Sequence, residues 1–307
     1  MSCFRNILVV VDSSAEQETP HLELERALKL VDQTPEAKLH LVDVVKDEGF
    51  AVRFLSKDYG HIHQLLVKEK QEAIDALIEH CKAHGIQASG EVLQGQSSVV
   101  TAKTAQTIHA DLIVRAAKGR HSLERGPLGT SSQKLIRALP CAIWLTHAEH
   151  EPQANTIVAA VNATPGDSAH AELNDHILKT ALELAKHDRS KLLVVYAWNL
   201  HGSEMLRHRL PQSEFQILLE HNRKQHFEGF ENLLSKFDLH AASPTSKMIE
   251  GEPSFSISQF CNTEKVDLLV CGTIARHGIS GLLLGNTAER IINHCECSVL
   301  ALPPPRR

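Results

Sequence analysis

Long apolar runs are missing from this sequence. The longest, Ile7 to Val11 and Leu192 to Trp198, fall far short of the roughly 20 residues that cross a bilayer, so no transmembrane helix is expected. A secretion signal is missing too. Arg5 precedes only five apolar residues before Asp12, with no small-residue cleavage site, and a cytoplasmic location is the expectation that follows. Nor is positive charge in excess. Thirty-two Lys and Arg against 37 Asp and Glu leave a formal net charge of −5, which excludes a basic field for nucleic acid or an anionic membrane. The seven cysteines, at 3, 81, 141, 261, 271, 295 and 297, lack the regular spacing of a disulfide framework; reduced, mostly buried thiols are expected.

What is present is a globular composition, 42% hydrophobic and 22% charged over 307 residues, enough for about two domains. An internal repeat accounts for both. A shift of 156 residues aligns Gly95–Cys141 with Gly251–Cys297 without a gap, and 12 of those 47 positions are identical, among them Asp111/Asp267, Gly129/Gly285 and Cys141/Cys297. By chance about one position in 15 would match. A whole domain is therefore duplicated, with residues 1–147 and 155–307 as the two copies and the polar stretch 147–154 as linker.

Short apolar runs alternate with amphipathic stretches in both copies, which predicts an α/β fold with a parallel sheet covered by helices on two faces. Strands are expected at 6–12, 38–45, 86–94, 111–116 and 141–146, then at 155–162, 191–198, 246–250, 267–271 and 297–302. Helices are expected at 22–31, 62–84, 98–109 and 130–139, then at 170–187, 214–237, 254–264 and 286–294. Each copy thus has five strands and four helices.

Ligands of open parallel sheets bind beyond the carboxyl ends of the strands, where strand order reverses. After strand one come Asp12-Ser13-Ser14 and Asn162-Ala163-Thr164, with no G-x-G-x-x-G, and no P-loop motif occurs anywhere. A dinucleotide site and a P-loop NTPase are both disfavoured. After strand four the second copy reads Gly272-Thr273-Ile274-Ala275-Arg276-His277-Gly278-Ile279-Ser280-Gly281, then Leu282-Leu283-Leu284-Gly285-Asn286-Thr287 as a helix begins. Its glycines permit positive φ, Asn286 suits an N-cap, and amides at such a helix start can cradle an anion. The plain alternative is a turn that merely connects strand to helix.

In these residues the sequence resembles the universal stress protein family in its tandem form. ATP-binding members carry an Asp ending strand one, and G-x-x-G, nine residues, then G-[ST] after strand four. Here Gly272-x-x-Ala275, nine residues, then Gly285-Asn286 fits that frame with two replacements, and Asn162 stands for the aspartate. The first copy keeps Asp12, Gly119, Gly129 and Thr130 but has Ala116 for the first glycine. The resemblance implies two Rossmann-like (adenine nucleotide alpha hydrolase-like) domains forming a pseudo-dimer along their last strands, open to further homodimerisation, with a role in stress tolerance. It also implies ATP or another adenine nucleotide as cofactor, held by Asn162, Gly272, Thr273, Ala275, Arg276, Gly278, Gly285, Asn286 and Thr287, and with less support by Asp12, Gly119, Gly129 and Thr130. An alanine in place of a glycine costs about 1 kcal/mol where φ is positive, so weakened binding is expected.

Arg115 stands where the second copy has Cys271, and either points into the cleft toward an anion or snorkels to solvent. Among the 20 histidines, His80 and His84 share a helical face around Cys81, and His294-Cys295-Glu296-Cys297 places three donors in four residues. No spacing matches a four-ligand metal pattern, so core thiols are the simpler reading. Neither G-x-S-x-G nor H-E-x-x-H occurs, and no catalytic set is identified. Three readings remain open: a nucleotide-binding stress protein that acts by changing partners, a carrier or scaffold for another small molecule that has lost nucleotide binding, and a slow ATPase.

Overall fold

A computed structural model describes residues 4–13, 21–32, 34, 36–46, 59–118, 127–138, 141–147, 153–273 and 285–305. The chain divides into two units, Met1–Gln153 and Ala154–Arg307. In the first, strands β1 (Asn6–Val10), β2 (Lys38–Val45), β3 (Gln87–Gln94), β4 (Leu112–Ala116) and β5 (Ala142–Thr146) alternate with helices α1 (Leu22–Val31), α2 (Tyr59–Ala83), α3 (Ser97–Thr107) and α4 (Thr130–Ala138). All pairings among these strands are parallel, in the order β3-β2-β1-β4-β5. The central strands are hydrophobic on both sides because helices cover both faces: Leu8, Val9, Leu112, Ile113 and Val114 are all fully buried.

The second unit repeats this plan. Strands β6 (Thr156–Ala160), β7 (Lys191–Trp198), β8 (Ser246–Glu250), β9 (Leu268–Gly272) and β10 (Ser298–Leu302) run in the order β10-β9-β6-β7-β8, again in parallel. The helices are α5 (Ala171–Asp188), α6 (Ser203–Arg209), α7 (Gln212–Leu234), α8 (Pro253–Thr263) and α9 (Asn286–His294). On α5 the buried residues Leu173, Ile177, Leu178, Ala181, Leu184 and Ala185 recur every three or four positions, the stripe by which it packs on the sheet.

Several identities between the copies have a backbone cause. Asp111 accepts the Arg5 and Asn6 amides at 2.7 and 3.1 Å, and Asp267 accepts those of Asn155 and Thr156 at 2.9 and 2.8 Å. Each aspartate thereby pins the start of its unit's first strand, at the end of the sheet away from the expected ligand. Gly95 and Gly251 have φ of +131° and +150°, which an L side chain rarely adopts. After Gly251, Pro253 opens α8 and the Glu252 carboxylate caps it by accepting the Phe255 amide at 2.9 Å.

Two expectations need correction. β1 and β6 end at Val10 and Ala160, two residues early: the Val11 and Val161 amides still bond the Val42 and Val195 carbonyls, but beyond them side chains take over, Asp43 accepting the Ser13 amide at 2.8 Å and Asn174 that of Asn162 at 3.0 Å. Helix α6 was not expected. None of its residues is buried, so it leaves no apolar stripe to read; its acidic Glu204 in the first turn and basic Arg207, His208 and Arg209 in the last complement the helix dipole.

Candidate functional site

Strand order reverses between β1 and β4 in the first unit and between β6 and β9 in the second. In an open parallel sheet this switch point, at the carboxyl ends of the strands, is the place where a ligand is taken.

In the second unit the residues after β6 form a closed polar network. Asn162 Oδ1 accepts the Thr164 amide at 3.2 Å and the Thr164 hydroxyl at 2.6 Å, while its Nδ2 donates to Asp167 at 3.2 Å. Asp167 also bonds His170 Nδ1 at 2.8 Å. Burial works against the Asp167 carboxylate, but the His170 bond and charge and the Ala169 and His170 amides outweigh it and hold the pKa below the ordinary value. Both ends of the Asn162 amide are thus committed to the loop's own fold.

Behind this network the buried side chains are uncharged. Tyr196 shares a hydrogen bond with His226 Nδ1 and reaches Thr164 Oγ1 at 3.5 Å, and the Trp198 ring lies 5.1 Å from that of His226. Burial lowers the pKa of His226, which is uncharged at neutral pH.

After β9, Thr273 donates its amide to the Leu302 carbonyl at 2.9 Å and accepts the Gly285 amide at 2.9 Å. This last bond closes the base of the loop and sets the start of α9 against the end of β9. Gly285, buried, is the N-cap, with φ −65° and ψ 142°, and Asn286 is the first helical residue, so the expected Asn286 cap is corrected and Gly285 does not use the positive φ open to a glycine. A glycine cap has no side chain to occupy the first-turn amides; Asn286 and Thr287 are exposed beside them. Gly272 has a packing reason of its own. A Cβ there would lie 2.3 Å from Leu173 Cδ2 and 2.9 Å from its Cγ, so the glycine lets α5 close on β9.

The first unit builds the same corner from charge. Asp43, almost fully buried, follows the β2 valine that pairs with Val10, as Tyr196 follows the valine that pairs with Ala160. Its carboxylate accepts the Ser13 amide and hydroxyl, the Val44 amide at 2.6 Å and Lys70 Nζ at 2.6 Å. Lys70 also lies 3.8 Å from Asp12. Gly129 repeats the loop closure by donating its amide to the Ala117 carbonyl at 3.0 Å, and Thr130 begins α4 in an exposed position. Arg115 does not snorkel: its Nε donates to the Ala116 carbonyl at 3.3 Å and its Nη1 is buried with no hydrogen-bond partner among the described residues. Burial brings the guanidinium down to about 10 against the opposing charge of Glu23, so it stays cationic at neutral pH.

Of the expected site residues, Gly119, Ala275, Arg276 and Gly278 lie outside the described residues, as do Arg120 and Gly281. The second unit brings together Asn162, Gly272, Thr273, Gly285, Asn286 and Thr287, and the first Asp12, Gly129 and Thr130, around their respective switch points.

Sequence reasoning missed a second grouping in the second unit. The Sγ atoms of Cys261, Cys295 and Cys297 all lie within 4.8 Å of one another, and all three residues are buried. Cys295 and Cys297 stand out in sequence, but Cys261 joins them from α8, more than 30 residues away. Hydrogen bonds from Cys261 and Cys297, with burial, push the Cys295 thiol far above its ordinary value. For Cys261 the Cys295 bond works downward, and the Cys297 bond, burial and the Cys297 and Cys271 charges together overcome it. Burial, helped by Cys297, lifts Cys271 to about 12. Elsewhere, the exposed rings of His80, on α2, and His84, just past its end, lie 4.6 Å apart, while Cys81 is turned into the core.

A profile described as Universal stress protein family matches residues 4–147 and again 156–303. Over 99% of this chain and 99% of the other, the sequence is 24% identical to a Haemophilus influenzae protein named Universal stress protein E homolog. To Universal stress protein E of Escherichia coli K12 it is 26% identical over 195 residues, 63% of this chain and 61% of that one. Among solved structures, a functionally unknown protein of Pseudomonas aeruginosa PAO1 shares the fold with a TM-score of 0.75 and 23% identity, over 99% of this chain and 94% of that one. A universal stress protein from Archaeoglobus fulgidus does so with a TM-score of 0.63 and 13% identity, over 98% of each.

Proposed function

The chain belongs to the universal stress protein family, once in each half, and from that premise we propose that it is a cytoplasmic stress-tolerance protein of two such domains, 1–147 and 155–307, holding an adenine nucleotide weakly at the switch point of the second. The observation that carries this reading is the 2.9 Å bond from the Gly285 amide to the Thr273 carbonyl. It anchors a helix start without a side-chain cap at the switch point between β6 and β9, where first-turn amides and the helix dipole favour a phosphate. The uncharged side chains of Tyr196, Trp198 and His226 behind the Asn162 network support the choice of copy. An uncharged base is placed there at less cost than over Asp43 and Lys70, whose ion pair it would desolvate. In this reading nucleotide binding selects partners, and any hydrolysis is slow and incidental.

A second reading, a carrier for another small molecule, draws on Asn162 and Gly272. The first spends its amide on the loop and the second serves helix packing, so neither is free evidence of a nucleotide. Thermal unfolding against ATP concentration separates the two. A ligand at 100 times its Kd adds about 2.7 kcal/mol, so a weak site raises Tm clearly only at millimolar ATP. Mass spectrometry of small molecules released on unfolding then identifies the occupant, and an absent ATP response at every dose favours the carrier.

A pseudo-dimer along the last strands belongs to the same proposal. β5 and β10 are edge strands within their own units, with sequences that are apolar apart from Thr146 and Ser298, and an apolar edge of this kind calls for cover.

A further inference from the structure

We infer that Cys261, Cys295 and Cys297 form a three-coordinate thiolate site for a soft monovalent metal ion, Cu(I). Sulfurs bound at about 2.3 Å in a trigonal plane lie about 4.0 Å apart, and these three Sγ atoms are already all within 4.8 Å of one another. A dedicated clamp holds them there. Asn262, next to Cys261, donates Nδ2 to the His294 carbonyl at 3.1 Å and accepts the Glu296 amide on Oδ1 at 3.1 Å. One side chain thus grips both residues that flank Cys295 and fixes the Cys295-Glu296-Cys297 connector between α9 and β10 against α8.

Packing alone does not call for thiols at this corner. The residues 156 positions earlier are Ala105, Leu139 and Cys141, so the first copy fills the equivalent positions with two aliphatic side chains and one cysteine. The donor chemistry selects the ion. Sulfur ligands prefer soft metals, and the cluster among the described residues comprises three sulfurs with no nitrogen or oxygen donor. Zn(II) in a structural site takes four ligands, whereas Cu(I) is satisfied by three. Binding moves no electrons: each thiol that becomes a thiolate ligand passes its proton to solvent as the S–Cu bond forms, and the ion enters already reduced. Glu296, in the middle of the connector, is exposed, so release of the two Asn262 bonds opens a path from the surface.

The test uses the reduced full-length chain, titrated anaerobically with Cu(I) against a bidentate Cu(I) chelator, with X-ray absorption on the loaded protein. One Cu(I) per chain with three sulfur neighbours is expected. Cys261→Ser should weaken binding by more than about 100-fold and Asn262→Ala, which removes only the clamp, by about 10-fold. Cys81→Ala, in the other unit, should leave affinity unchanged. The inference is overturned by no uptake from the chelator, by fewer than three sulfurs, by equal loss in Cys81→Ala, or by Zn(II) competing Cu(I) off as a four-coordinate complex. The sulfur count on the unaltered protein decides the matter even where a variant fails to fold.

Discussion

Asp12 and Asn162 stand at the same place in the two copies, and their neighbours account for the difference between them. Asp12 lies 3.8 Å from Lys70, whose charge suits a carboxylate. Asn162 faces Asp167 at 3.2 Å and must donate to it, which an ionised carboxylate cannot do. The side chains behind Asn162 make stability depend on pH. Burial lowers the pKa of His226 in the folded protein, so as pH falls below the unfolded value of about 6.5 the unfolded chain takes up a proton that the folded one refuses. Stability is therefore full above that value and lost on acidification. Asp167 and Glu252, held below the ordinary carboxyl value, are lost only at lower pH. Melting curves should show Tm falling from pH 7 to pH 5, with a shallower fall in His226→Phe, whose Tm at pH 7 drops because the Tyr196–His226 hydrogen bond is lost. An unchanged slope would remove His226 from the account. At this scale the sequence spoke unevenly. Asp12 and Gly285 could be picked out from a motif, but Tyr196, His226 and Cys261 reach their partners only through the pairing of strands and helices distant in sequence.

Helix α5 lies close on β9 because Gly272 presents no Cβ to Leu173. Gly272→Ala should cost about 1–3 kcal/mol, the usual range for overfilling a packed core, and Leu173→Ala in the same chain should recover part of it by making room. Chemical denaturation of the single and double variants measures this; full additivity would mean the two side chains do not collide. The glycine itself was readable as a motif residue, yet its packing role was not, since nothing in the sequence says which helix crosses it. Elements with an apolar period were legible to within a few residues, α5 and α8 among them. Helix α6, with no buried face, was not. The strand ends at Val10 and Ala160 also escaped, because the Ser13 and Asn162 amides just beyond them are drawn off by Asp43 and Asn174 from elsewhere in the chain.

Duplication is the feature of the whole molecule that the sequence displays most openly, through its offset of 156 residues. Both units carry out the same plan, while the groups behind the two switch points differ in chemistry, an Asp43–Lys70 ion pair in one and the Tyr196–His226 hydrogen bond in the other. If the last strands cover each other, residues 1–150 expressed alone should dimerise or precipitate, since β5 then has an apolar edge with no partner. Sedimentation showing a stable, cooperatively folded monomer would contradict the pseudo-dimer. Nucleotide binding in the second unit is the central claim, and calorimetric titration of ATP into Gly285→Val and Gly129→Val tests it most directly. The Gly285 backbone, at φ −65° and ψ 142°, is one that valine adopts, so the substitution acts by filling the buried space beside the first-turn amides. With circular dichroism confirming that both variants fold, the account predicts that Gly285→Val loses ATP binding and that Gly129→Val keeps it within a factor of a few. Binding lost in Gly129→Val alone, or retained in both, would contradict it.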